Sequence, residues 1–334
     1  MAYRGQQVTL GGASAMVQRV ARRLALGKEP RLASRHQRAL AASFDALLER
    51  DWANAIAGIY PWSLLFQIPY STYARLLPEL AREIPSMARR RRRDDWKDLP
   101  GDVDLGEFPP YHRPTFHWQS DGYLSRPSAE LYDLEVELLF GGTADVMRRQ
   151  VLPPIVAHAR GLGRPPRVLE VACGTGRTGA QLLRALPRAD YTGVDLSPWY
   201  VEVARERMPP EACVELQVAN GESLPFPDAS FDAVFSVYLF HELPRNARRS
   251  VWAQMRRVLR PGGCLVVEDS LQPDDAGELG PFLHRFAEDM HEPFYRDYLR
   301  DDLSEGLRET GLVVDVCERA FLSKVVCAHR PPLC

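Results

Sequence analysis

From Val168 to Asp269 the chain alternates between short apolar runs and amphipathic stretches, and this alternation constrains its fold more than any other feature. Val168 to Ala172, Tyr191 to Leu196, Val214 to Val218, Phe231 to Tyr238 and Cys264 to Asp269 read as strands. The stretches near Thr178 to Ala185, Pro198 to Arg207 and Asn246 to Leu259 carry the period of helices. Strands separated by helices pair in parallel, through crossover connections. Ser197-Pro198 supports one helix start, with a capping hydroxyl followed by proline at the first helical position. After a helix near Asp302 to Thr310, the runs Leu312 to Phe321 and Leu322 to His329 are too close for a crossover, so an antiparallel pair is expected. The fold class is therefore α/β, a mostly parallel sheet with an antiparallel last strand, plus an N-terminal helical region.

That region runs from about Leu10 to Leu99, with apolar residues spaced as in Leu40-Phe44-Leu47-Leu48. A proline-rich and aromatic passage, Pro100 to Pro127, reads as a connector or the edge of a site. Helical spacing returns from Ala129 to Arg160, and Gly161 to Pro166 breaks it just before the first strand. Three segments are expected: an accessory helical region at 1–110 acting as lid or dimer contact, a flanking region at 111–165, and the sheet-bearing domain at 166–334. A net charge of -2 gives no field that would gather a nucleic acid. The run Arg89 to Arg93 is followed by Asp94 and Asp95 and reads as a solvated helix end. The longest apolar stretch, Ala53 to Leu65, is short for a membrane span and contains Pro61. With no signal-like pattern in Met1 to Leu10, a cytoplasmic location is expected. The six cysteines lack the paired spacing of a zinc site, and most lie in strand-like runs, so buried thiols and no metal are expected.

Chemistry concentrates at the strand ends. Glu170-Val-Ala-Cys-Gly-Thr-Gly176 is a strand running into a turn of small residues and then a helix, which lets backbone and free N–H groups approach a ligand. Asp195 closes the second strand with a carboxylate, placed to accept from the two hydroxyls of a ribose. Asn220-Gly221 follows the third strand and suits the edge of a base. Leu259-Arg-Pro-Gly-Gly263 is a helix end and turn.

In this order the motifs resemble the class I S-adenosylmethionine-dependent methyltransferases with their Rossmann-like sheet, and are similar to the ubiquinone and menaquinone biosynthesis branch. The resemblance rests on Glu170 to Gly176, Asp195, Leu224-Pro-Phe-Pro-Asp-Ala-Ser-Phe-Asp232 and Leu259 to Gly263, and covers roughly Ala129 to His329. It implies S-adenosylmethionine as cofactor, with Glu170, Ala172, Gly174 and Gly176 around the methionine moiety. It also implies Asp195 on the ribose, Leu196 beside the adenine, Asn220 and Gly221 at the adenine edge, and Val237 in the cofactor-binding set. Ala172 stands where the family often has glycine, and Asn220 where it often has aspartate.

Methyl transfer is an in-line displacement that requires alignment and, for a weak acceptor, removal of a proton. His241 follows the fourth strand, where open α/β sheets place their ligands, and is the first candidate base. His291 is the second, in an insertion holding His284, Asp289, Glu292, Phe294, Tyr295 and Tyr298 that reads as a substrate lid. Tyr123, Tyr132, Asp269 and Tyr295 are the expected substrate contacts. The expected activity is O- or C-methylation of a small aromatic, quinone-like or secondary-metabolite acceptor. Two alternatives stay open: a protein that binds S-adenosylmethionine without transferring its methyl, and a nicotinamide-dependent oxidoreductase.

Overall fold

The computed structural model describes residues 2–26, 33–97, 99, 101, 103–280, 283, 286 and 291–332, with backbone alone for 17–26 and 118. Its centre is a seven-stranded sheet in the order β3-β2-β1-β4-β5-β7-β6. The strands are β1 (Arg167–Val171), β2 (Asp190–Asp195), β3 (Cys213–Val218), β4 (Phe231–Val237), β5 (Leu259–Ser270), β6 (Val313–Ala320) and β7 (Ser323–His329). The first five pair in parallel, and β7 runs antiparallel to both β5 and β6. The expected antiparallel last strand is therefore present, inserted between β5 and β6. Chain order reverses between β1 and β4, which opens a crevice at the carboxyl ends of those strands.

Residues of β1 and β4 are buried almost throughout, as in strands covered on both faces. Alternation divides them between two apolar clusters. Leu169 and Val171 pack with Trp252, Met255 and Leu307 on one face. Val168 packs on the other with Leu182, Tyr191 and Val266. Edge strands β3 and β6 are mostly exposed. This corrects the expectation for two cysteines: Cys213 and Cys317 lie on those edges and are exposed, while Cys173 and Cys264 are buried. Cys334 lies outside the described residues.

The N-terminal helices begin earlier than the sequence suggests. They are α1 (Ala2–Leu26), α2 (Ser34–Ile56) and α3 (Tyr70–Arg93), followed by α4 (Arg126–Leu139), α5 (Ala144–Arg148) and α6 (Leu152–Gly161). Tyr3, Leu47 and Leu48 share one core with Val168 and Val266, so the helices pack onto the sheet's own interior. A buried ion pair fixes them there: Arg149 donates to Asp51 Oδ2 at 2.6 Å and Oδ1 at 2.9 Å, and Tyr60 donates to Oδ1 at 2.6 Å. Removing one partner of such a pair would leave an uncompensated buried charge.

At the opposite end of the sheet from the crevice, Asp232 on β4 accepts from Arg164 at 2.7 and 2.8 Å and from the Arg167 amide at 2.9 Å, with Arg260 as a further donor. Burial alone would raise its pKa, but the bonds from Arg164, Arg167 and Arg260 outweigh it and hold the carboxyl at about 2. A depressed carboxylate contributes stability above its unfolded pKa, and that contribution is lost as pH falls through the folded value. Asp232→Asn is expected to cost about 1–2 kcal/mol at neutral pH after screening of the half-exposed arginines. The deficit should close between about pH 4 and pH 2 in urea titrations, and an unchanged gap across that window would contradict the assignment.

Candidate active site

β1 ends in a turn that leads into α7 (Arg177–Ala185), and β2 ends in Asp195 ahead of α8 (Pro198–Arg207). The carboxylate of Asp195 ties these ends together, with Oδ2 accepting from the Gly174 amide at 2.8 Å and Oδ1 from the Ser197 amide at 2.9 Å. Burial pushes its pKa up, partly offset by the amides of Ser197, Gly174 and Leu196. Ser197 also donates to the Tyr123 carbonyl at 2.6 Å, anchoring the proline-rich passage over the end of β2.

The resulting cleft, about 110 Å³, is lined by Ala172, Gly174, Asp195, Leu196, Ala219, Asn220, Gly221 and Val237. Tyr111, Phe116, Tyr123 and Tyr132 line its other wall. Tyr111 closes one end by donating to Glu222 at 2.6 Å, and Asn220 Oδ1 accepts from the Glu222 amide at 2.9 Å.

The donor set fits an adenosyl sulfonium cofactor. No protein atom lies within 4 Å of where a Cβ on Gly174 would sit, so the backbone there is bare for a ligand. Beside it stand a carboxylate, a side-chain amide and the apolar Leu196 and Ala219, matched to ribose, base edge and base face.

Ala172 shows why glycine is usual at its place: its φ of 59° is left-handed. That conformation costs an alanine roughly 1–2 kcal/mol, part of which glycine would give back as chain entropy. Ala172→Gly is expected to raise stability by about 0.5–1 kcal/mol, and a loss of stability in denaturant titration would contradict this reading.

A smaller chamber of about 20 Å³ adjoins the cleft, lined by His117, Tyr132, Phe140, Tyr238, His241, Glu242 and Phe286 among others. Tyr132, Tyr238 and Glu242 line both spaces. His241 Nδ1 lies 2.6 Å from Asp269 Oδ1, and Asp269 also accepts from the amides of Phe240 at 2.6 Å and Ser270 at 2.7 Å. Its Nε2 lies 3.9 Å from Glu242 Oε1, which accepts from Tyr123 at 2.6 Å. Burial lowers the imidazole's pKa, but the charge and hydrogen bond of Asp269, with Glu292 and Glu242 behind them, raise it to about 10. The ring expected as a base thus carries its proton at neutral pH in the free chain.

Several other expected residues sit elsewhere. Glu170 is buried behind the turn and accepts from Tyr191; burial outweighs that bond and raises its pKa to about 8. Gly176 begins α7 at φ 74°, where a Cβ would come within 2.4 Å of Met208, so it serves the approach of α8. Asp269 is fully buried and meets His241 rather than the cleft, which corrects its reading as a substrate contact. Tyr295 is likewise buried, its hydroxyl on Ser270 and its ring against His241. His291 lines neither space and stacks on Trp96. Its neighbour Glu292 turns inward instead, onto His117. His284 and Asp289 lie outside the described residues.

His117 and Glu292, 175 residues apart, meet here, a pairing that neither the passage at 100–127 nor the lid-like insertion announces in sequence. Among the sequence signals, only the density of aromatics and histidines around Pro110 to Tyr123 pointed toward the first.

The turn alone does not separate the alternatives, because Gly174, Gly176 and Gly179 keep the dinucleotide spacing. The antiparallel β7 does, since a dinucleotide-binding sheet of this order is parallel throughout.

Residues 168–263 match the family model described as methyltransferase domain. The chain is 40% identical over 156 residues to the O-methyltransferase cnsE of Penicillium expansum, covering 45% of this chain and 54% of that one. It is 34% identical over 146 residues to the demethylmenaquinone methyltransferase of Thermotoga maritima, covering 44% and 59%. It thus spans between half and two thirds of these curated relatives. A solved S-adenosylmethionine-dependent methyltransferase of Methanosarcina mazei superposes with a TM-score of 0.43 at 19% identity, over 54% of this chain and 98% of that one. Residues 168–263 thus carry a methyltransferase domain, and the chain is similar to class I S-adenosylmethionine-dependent methyltransferases, the ubiquinone and menaquinone branch among them.

Proposed function

We propose that the chain methylates an oxygen or carbon of a small aromatic or quinone-like acceptor. The observation that carries this reading is the adjacency of two spaces: a cleft suited to an adenosyl ligand shares Tyr132, Tyr238 and Glu242 as common lining with a small chamber edged by His241. When bound, S-adenosylmethionine supplies an electrophilic methyl on a sulfonium sulfur. Asp195, Asn220 and Leu196 would hold its adenosine half, and Ala172, Gly174 and Val237 the remainder.

The chain's own residues then do three things. Tyr123, Tyr132 and Tyr200 form an aromatic wall, with Tyr123 and Tyr200 edge to face at 5.4 Å, that excludes water and orients a flat acceptor. Asp269 fixes the ring of His241 through Nδ1, leaving Nε2 to meet the acceptor's oxygen. A hydrogen bond there favours the anionic, nucleophilic form of that oxygen. Glu170, Gly176, Asp269 and Tyr295 act as supports from behind.

The relatives favour this acceptor class, one being an O-methyltransferase and another acting on demethylmenaquinone. We take 166–334 as the catalytic domain, 111–165 as its flank and 1–110 as an accessory lid or dimer contact. A cytoplasmic setting in small-molecule biosynthesis fits the free thiols at Cys173 and Cys264, and no described helix is long and apolar enough to cross a membrane. The test is incubation with methyl-labelled cofactor and host extract, followed by mass identification of the product. Label appearing in a small aromatic molecule supports the reading, and label found only in protein or nucleic acid counts against it.

A further inference from the structure

We propose that His117, Glu242 and Glu292 form a binding site for one divalent first-row cation, such as zinc or manganese, beside the small chamber that His117 and Glu242 line. One ligand atom from each residue lies within 4.8 Å of the others. A tetrahedral site with bonds of 2.0–2.1 Å needs donors about 3.3 Å apart, so a cation would replace the His117–Glu292 hydrogen bond and hold the three donors at that spacing. Imidazole with two carboxylates is a donor set that suits zinc, manganese or ferrous iron.

Two further observations point to an occupant. Glu292 is only 3% exposed, and its Oε2 has no hydrogen-bond partner among the described residues although Oε1 is taken by His117. A buried carboxylate oxygen left unsatisfied is costly, and a cation would satisfy it. The adjoining chamber, at about 20 Å³, has room for one or two water-sized occupants. The surroundings also supply orienting partners, since Tyr123 donates to Glu242 at 2.6 Å and the His241–Asp269 pair stands behind it.

Three protein ligands leave at least one coordination position open. Because Glu242 lines both spaces, an acceptor oxygen reaching past Tyr132 and Tyr238 could fill that position. A bound cation lowers the pKa of such an oxygen, which favours hydroxyl and phenol acceptors over carbon. This role rests on the methyl-transfer reading; the binding itself does not.

The experiment uses the full chain stripped by chelator dialysis and supplied separately with zinc or manganese alone. Calorimetry and elemental analysis are expected to show one equivalent bound, with affinity reduced at least tenfold in Glu292→Gln and in His117→Gln. Circular dichroism checks that both variants are folded. Absence of stoichiometric binding, or equal binding by the folded variants, would overturn the site. S-adenosylmethionine binding by the stripped chain, measured in parallel, needs no cation and separately tests the cofactor cleft.

Discussion

Asp195→Ala should weaken S-adenosylmethionine binding by a factor of about 100 to 10,000 while the chain stays folded. A carboxylate accepting from two ribose hydroxyls makes two charge-assisted hydrogen bonds of about 1.5–3 kcal/mol each, and 1.4 kcal/mol is tenfold in affinity. The substitution also releases the amides of Gly174 and Ser197, which Asp195 holds at 2.8 and 2.9 Å. The turn that faces the cofactor therefore loses its brace together with its ligand. Asp195→Asn keeps one acceptor oxygen and should lose about tenfold. Calorimetry with each variant measures this directly, and undiminished affinity in Asp195→Ala would mean that the cofactor binds elsewhere.

His241→Ala should lower kcat by about 100- to 1,000-fold with an oxygen acceptor, the range expected for a group that manages the acceptor's proton or charge. Cofactor affinity should be unchanged, because His241 edges the inner chamber and not the cofactor cleft. Asp269 acts only through His241 and is a positioning residue. Asp269→Asn retains one oxygen, which can serve either the Phe240 amide, now on Oδ2, or the Ser270 amide and His241 Nδ1, now on Oδ1, and it loses the charge beside Nδ1. It should reproduce much of the loss in kcat with little change in KM for the cofactor. Equal loss of kcat and cofactor affinity in both variants would indicate a structural role instead.

Much of the sheet was legible because its signals are local. The apolar runs from Val168 to Asp269 carry their own period, and the observed strands keep to them within one residue, except that β5 begins at Leu259 and takes in the segment to Gly263 expected as a helix end and turn. Asp195 was legible for the same reason, a lone carboxylate ending a buried strand just before the capping Ser197. The short link between Leu312 and His329 sufficed to place an antiparallel pair, although not to show that β7 lies inside β6.

What escaped depends on contacts distant in sequence. Asp269 reads as a substrate contact at a strand end until His241 is seen beside it. Glu292 and His291 differ by one position in an irregular segment, where no periodicity says which of them faces inward. His117 sits at a left-handed φ of 53° in a passage whose composition predicts only irregularity. The N-terminal helices carried an amphipathic pattern, but which surface their apolar faces cover is settled by Tyr3, Leu47 and Leu48 joining the core beneath the sheet.

Transfer of the methyl group is the centre of this reading, and one measurement tests it most directly. The full chain is incubated with methyl-labelled S-adenosylmethionine and a panel of phenols and hydroquinones, and labelled product and S-adenosylhomocysteine are quantified together. The expected result is their formation in equal amounts, lost in Asp195→Ala and strongly slowed in His241→Ala. Tight binding of the cofactor without its consumption, on every acceptor and on host extract, would contradict methyl transfer and leave a protein that binds S-adenosylmethionine for another purpose.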